Sequence, residues 1–144
     1  LGISLKPLHY PAVRCCHLMD EVLAITTPNG HPLSQRSSLT FADVDGEDFL
    51  LMGGIGFWRG LVDEKLPHST FLVQEDRVVF ESLSATSPLL GFVTDAAYLS
   101  GEMPGRTVVP LDEPEAHASF YLLVNTDGPE QANELFEWIA GKEK

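Results

Sequence analysis

Basic residues are scarce in this chain. Nine Lys and Arg stand against 21 Asp and Glu, a formal charge of -12 over 144 residues. That balance works against binding to nucleic-acid phosphates and to anionic membrane surfaces. The acidic residues are scattered, which makes them a solvated surface and not an acidic tail. Long apolar runs are missing as well. Hydrophobic content is 44%, ordinary for a globular chain, and no stretch is apolar enough to cross a bilayer. Cysteine is reduced to Cys15 and Cys16. Sequence neighbours rarely reach disulfide geometry, so free thiols in a reducing compartment, the cytoplasm, are expected. Cys15-Cys16-His17, with His9 nearby, has neither CxxC nor HxxxH spacing, and no metal site is expected. The five histidines (His9, His17, His31, His68 and His117) are dispersed and sit in no Ser/His/Asp or Cys/His signature. Cys15 and His17 would share one strand face, yet no third group orients them. The expectation is a protein that is not an enzyme and carries no cofactor.

The most informative stretch runs from Phe49 to Trp58. Phe49-Leu50-Leu51-Met52 is a continuous apolar run, which reads as a strand buried on both faces. It enters a glycine-spaced turn, Gly53-Gly54-Ile55-Gly56. A helical pattern follows from about Gly54 to Leu66, with Phe57, Trp58, Leu61, Val62 and Leu66 near one face, and Pro67 ends it. In open α/β sheets ligands sit outside the carboxyl ends of strands, against helix N-termini. The N–H groups of Ile55, Gly56 and Phe57 would face such a ligand, and an anion suits them best. The alternative is a plain tight turn in which glycine only permits close packing. The spacing is not GxGxxG and lacks a P-loop Lys, so no nucleotide site is read.

The rest of the chain alternates strand and helix. Gly2 to Leu5 reads as a short strand and residues 6–17 as a connection. Val22 to Thr27 is β-rich and closes at the turn Pro28-Asn29-Gly30-His31-Pro32. Residues 38–44 hold one helical turn. Thr70 to Gln74 is a strand, and Asp76 caps a helix over Arg77 to Ala85. Leu89 to Val93 is a further buried run, ending at Thr94-Asp95, with Ala96 to Leu99 as a short helix. Thr107 to Leu111 is an edge strand because Pro110 cannot donate to a ladder. Ala118 to Val124 is a strand. Asp127 caps a last helix with Ala132, Leu135, Phe136, Ile139 and Ala140 at helical spacing, ended by Gly141. Alternation of this kind implies a largely parallel, layered α/β lobe. The length fits one domain, or one lobe and part of another. The start, Leu1-Gly2-Ile3-Ser4-Leu5-Lys6-Pro7, has neither an initiator Met nor a signal-peptide layout and reads as a cut within a longer protein.

Three features in order resemble the effector-binding domain of LysR-type transcriptional regulators. The first is His31-Pro32-Leu33, then Leu39 to Val44, then the strand Phe49 to Met52, similar to the family's "HPLA … ltl.DL … pfi" run. The second is Pro88 to Thr94, where the family has a "G-hydrophobic-LP" strand; Thr94 stands for its frequent Pro. The third is the strand Phe120 to Val124, a polar turn, and a last helix ending near Trp138-Ile139. The resemblance implies an α/β, Rossmann-like three-layer lobe of the type 2 periplasmic binding protein fold, with an incomplete second lobe. Residues 21–114 would be lobe two; residues 1–20 and 115–144 would be partial lobe one with crossover segments. The family's winged helix-turn-helix and the first βαβ portion of lobe one have no counterpart here.

On that map, the effector pocket of lobe two falls on Met52, Gly53, Gly54, Ile55, Gly56 and Phe57 and on the strand end Thr94-Asp95. Asp95 also reads as a helix cap, Trp58 as core, and Thr26 and Thr27 as residues that could line a hinge. The expected partners are a small, anionic effector and a second copy, in a homodimer or higher homo-oligomer. No contact with nucleic acid by this chain and none with membrane is expected. Two other readings compete: a free-standing periplasmic-type binding module, and an oligomerisation lobe without ligand. The charge generates a prediction: fluorescence anisotropy with duplex DNA at physiological salt detects no binding, and micromolar affinity would contradict the reading.

Overall fold

The computed structural model describes residues 1–95 and 103–142. The expected short helix at Ala96 to Leu99 lies outside these. Two units are distinguished by their internal contacts, one made of residues 1–21 and 117–144, the other of residues 22–116.

In the first unit, β1 (Gly2–Ser4) pairs antiparallel with β7 (His117–Asn125), with Ile3 opposite Leu122. Next to β7 lies the first part of β2 (Val13–Pro28), a strand of 16 residues that continues into the second unit. The sequence reading of residues 6–17 as a connection therefore fails from Val13 onward. Arg14, Cys15, Cys16 and His17 show no alternation; their strand conformation comes from pairing and packing. Cys16 and Leu18 pack with Leu122, Val124 and Phe136. Phe136 lies on α4 (Glu130–Lys142), where Ala132, Ile139 and Ala140 face the same core. Arg14 lies over the Phe136 ring at 4.5 Å and pairs with Glu137 at 2.5 Å. The helix passes through Gly141 to Lys142; in a last, exposed turn glycine loses little packing, so it does not act as the stop expected from the sequence.

The second unit holds β3 (Asp48–Met52), β4 (Thr70–Gln74), β5 (Gly91–Thr94) and β6 (Arg106–Pro110). β3 and β4 pair in parallel. β5 and β6 flank the second part of β2, both antiparallel to it. Leu50 N–H donates to Leu90 O at 2.8 Å, and Leu90 N–H to Asp48 O at 3.0 Å, joining β3 to the start of β5. The strands thus run β4–β3–β5–β2–β6. β6 lies at the end of this order, as Pro110 implied, and Leu111 just after it forms a one-residue bridge with Leu39. Among the described residues the unit also holds α1 (Phe41–Val44), α2 (Trp58–Lys65) and α3 (Arg77–Thr86). The steps β3–α2–β4 and β4–α3–β5 run in opposite directions along the sheet, so right-handed crossovers place α2 and α3 on opposite faces. Arg59 of α2 lies over Phe71 at 5.4 Å. On that face Phe49, fully buried, stacks on Phe92 at 4.8 Å and meets Phe71 at 5.7 Å. Such aromatic pairs add about 0.5–1.5 kcal/mol each beyond their burial.

Local caps fix the helix starts. Asp76 accepts from Val79 N–H at 3.0 Å and opens α3. Thr40 and Asp43 form a capping box: Asp43 N–H donates to the Thr40 hydroxyl at 3.3 Å, and Thr40 N–H to the Asp43 carboxylate at 2.8 Å. These bonds from Thr40 hold the Asp43 carboxyl below the ordinary value of 3.8. The His68 side chain does the same for Asp45. A depressed carboxyl pKa contributes stability that is full above the unfolded value and lost as pH falls through the folded one. Urea midpoints are therefore expected to fall below about pH 4, with a shallower fall in Asp43→Asn. Thr40→Ala is expected to lower stability by about 1 kcal/mol at neutral pH. Equal acid slopes for Asp43→Asn and the parent would remove this cap from the account.

Candidate functional site

β3 and β5 are joined only around Leu90 among the described residues. Beyond that point, towards their carboxyl ends, a cavity of about 640 Å³ opens. Successive strand residues point to opposite faces. The cavity touches both Phe92 and Val93, so it meets β5 along the edge that looks towards β3. From the β3 side, Met52 and Ile55 contribute, and Trp58 and Val62 follow from α2. Phe80, Ser84 and the Arg77–Glu81 pair come from α3. Leu23 of β2, Thr94 of β5 and Met103 with Pro104 supply further wall, and Arg106 of β6 completes it. All of these lie within the second unit.

Arg106 is the organising cation. Its Nε donates to the Thr26 hydroxyl at 3.1 Å. Nη1 donates to Ser84 O at 3.1 Å and Ser87 O at 3.4 Å. Nη2 donates to Thr26 O at 3.0 Å and Leu89 O at 2.7 Å. One guanidinium thus ties β2, the end of α3 and the approach to β5 to β6. All five acceptors are neutral. Burial pulls its pKa below the ordinary guanidinium range, yet an arginine stays protonated at neutral pH. Nothing local in the sequence marks this residue, because its partners lie between 17 and 80 positions away. Trp58 is the other wall residue of note. It is 5% exposed, and its indole N–H has no hydrogen-bond partner among the described residues.

The residues expected from the sequence divide. Met52, Ile55 and Thr94 line the cavity; Gly53, Gly54, Gly56, Phe57 and Asp95 are not part of the described wall. The helix expected from about Gly54 begins at Trp58. Gly54 and Gly56 sit at φ +76 and +65, a left-handed backbone that a helix cannot contain. A Cβ at either would meet open space, so glycine is there for its backbone. At Gly53 a Cβ would run into the Glu75 carboxylate, the movable end of an exposed side chain. Asp95 accepts from Val22 N–H at 3.0 Å and fastens β2 to the end of β5. Thr26 and Thr27 are both buried within β2. No group of three or more metal-ligating side chains occurs among the described residues.

The clamp generates a prediction. Arg106→Gln leaves several carbonyls without donors, and each buried unsatisfied group costs roughly 1–3 kcal/mol. A loss of about 3 kcal/mol or more in chemical denaturation is expected, against under about 0.5 kcal/mol for an exposed control such as Arg77→Gln. Equal effects would mean that Arg106 holds nothing.

Comparison with known proteins agrees with this architecture. Residues 1–143 match the LysR substrate binding domain family. The chain is 32% identical over 90 residues to the uncharacterized HTH-type transcriptional regulator YybE of Bacillus subtilis (strain 168). That match covers 62% of this chain and 29% of the relative, so the chain spans under a third of its length. Among solved structures, the reduced OxyR regulatory domain from Pseudomonas aeruginosa superposes with a TM-score of 0.73 at 20% identity, over 96% of this chain and 69% of that one. The BenM effector-binding domain with its effector benzoate gives 0.70 at 19% identity, over 99% and 68%. These likenesses are of fold, the type 2 periplasmic-binding-protein-like one. On the family match along nearly its whole length, the chain belongs to the LysR substrate-binding-domain family, the effector-sensing domains of LysR-type transcriptional regulators.

Proposed function

We propose that this domain binds a small, anionic effector in the cavity of the unit formed by residues 22–116, and that this unit is lobe two of the regulatory domain. On the same reading, residues 1–21 and 117–144 belong to lobe one. The observation that carries the proposal is the cavity itself: it opens at the carboxyl ends of β3 and β5, where open α/β sheets hold ligands. Arg106 gives its wall a half-buried positive charge within a chain of net charge -12.

The role is binding, not catalysis. An effector held by one arrangement of the protein more tightly than by another shifts a pre-existing equilibrium by its differential affinity. Attached DNA-binding modules of a longer regulator would read that shift, and contact with nucleic acid would be theirs. The proposal places the protein in the cytoplasm with a second copy of itself as partner. Exposed apolar side chains such as Ile3 and Trp138, 65% and 60% accessible, support association. No described helix is long and apolar enough to cross a membrane.

A thermal-shift screen of a broad panel of metabolite-sized acids, amines, amino acids and sugar phosphates tests the proposal. A ligand at about 100 times its dissociation constant adds roughly 2.7 kcal/mol, equivalent to about 5 °C or more. That shift is expected for at least one acid, and it should disappear when Met52→Trp fills the cavity. No shift across the panel, or a shift that survives Met52→Trp, would overturn the assignment.

A further inference from the structure

β4 closes one end of the strand order, and among the described residues nothing pairs with its outer edge. The ladder shows which backbone groups that edge offers. Gly53 N–H donates to Gln74 O at 2.9 Å, while Leu50 N–H and Asp48 O bond to Leu90 on the other side of β3. The N–H and C=O of one strand residue share a side, and the side alternates along the strand. Thr70, Leu72 and Gln74 therefore bond to β3, and the N–H and C=O of Phe71 and Val73 point away from it. Sheets commonly guard such an edge with Lys, Pro, a bulge or an inward charge. Thr70-Phe71-Leu72-Val73-Gln74 has none of these.

The side chains beside the edge are apolar. Among the described residues of the second unit, five of the six exposed large apolar side chains lie on β4 and α3. Phe71 lies under Arg59 of α2, so Leu72 stands on the other face, with α3. Leu72 is 57% exposed, and on α3 Val78 is 76% exposed, with Val79 and Leu83 accessible too. Grouped exposure of this kind marks an interaction surface. Charge selects the occupant. Two copies of a chain of charge -12 repel wherever their acids meet. β4 is uncharged, and the two charges of α3, Arg77 and Glu81, pair with each other at 3.1 Å. Glu75 and Asp76 follow the strand. In an antiparallel pairing about Leu72 they fall beside Ser69 and His68 of the second copy, at opposite ends of the joined strands. A parallel pairing would set acid against acid.

We infer that β4 pairs with β4 of a second copy of this chain, antiparallel and centred on Leu72, joining the two sheets into one. Phe71 then lies opposite Val73 of the other copy, and each such pair exchanges two hydrogen bonds. Leu72 meets its own counterpart across the two-fold axis. The two α3 helices lie on one face of the joined sheet and add Val79 and Leu83 to the contact. This rests on the self-association proposed above, gives it a place, and is independent of what the cavity holds.

Sedimentation velocity over a wide range of concentration is expected to show a dimer. Val73→Pro removes an outward N–H and spares the bonds to β3; it is expected to weaken the dimer about tenfold or more. Crosslinking reads the register directly and does not depend on that variant folding. Facing residues of a non-hydrogen-bonded antiparallel pair have Cα atoms about 4.5 Å apart, within disulfide reach. Mild oxidation of Leu72→Cys is therefore expected to link two chains. Thr70→Cys, which faces Gln74 of the second copy and not itself, is expected to link no more than the parent, whose thiols are Cys15 and Cys16. A dimer in which Leu72→Cys links no better than Thr70→Cys would overturn this interface and leave self-association standing. A monomer at every concentration would remove self-association, and this inference with it.

Discussion

The second unit depends on one guanidinium. Arg106 answers the carbonyls of Thr26, Ser84, Ser87 and Leu89, the last three in the exit from α3 and the approach to β5. A helix end must satisfy its last carbonyls with something other than its own backbone. Here a side chain from a distant strand does it. The same bonds set where β5 begins, and so where β5 can touch β3. That contact is brief, confined to the neighbourhood of Leu90. The cavity exists because the two strands meet there and then cease to pair. The interaction that closes the fold at one end of the sheet thus defines the opening at the other.

The stacked rings of Phe49 and Phe92 complement the clamp from the opposite face. Arg106 lies on the Thr26 side of β2, while Phe92 pairs with Ile25 on the other side. A polar network and an aromatic cluster therefore hold the same strands from two faces. The polar network is fully satisfied at the guanidinium, which is the condition under which buried polar groups rigidify a core. It leaves the wall with a charge but not with a free arginine donor.

Local signals in the sequence placed β3, β4 and α3 closely. A five-residue apolar or β-branched run and an Asp three residues before a helical N–H are readable without neighbours. The HisPro and Leu39–Val44 motifs placed the family. What stayed hidden has a common cause. The first half of β2 carries Arg14, His17 and Asp20, a pattern that speaks for a loop until β7 and α4 are set against it. The start of α2 moved to Trp58 because two left-handed glycines precede it. Of the cavity wall, Met52, Ile55 and Thr94 are among the positions that the resemblance and the strand ends pointed to. Arg106 was not: its role is defined by residues remote in sequence, and an arginine opening a β-run reads as exposed by default. Trp58 was read as core, which its burial supports; its unmatched N–H is visible only in three dimensions.

Gly91 illustrates how this arrangement can change over evolutionary time. A side chain there would meet the Thr26 hydroxyl at 2.7 Å and approach Arg106, so a larger residue at this position would press on the hydroxyl to which Arg106 Nε donates. Its neighbour Phe92, like Phe80, Met52 and Met103, touches the cavity but bonds to no part of that network. Residues that keep the fold and residues that shape the hollow are therefore interleaved in sequence yet separable in substitution. A lineage can exchange the second set and acquire a new chemical input while inheriting the first set intact.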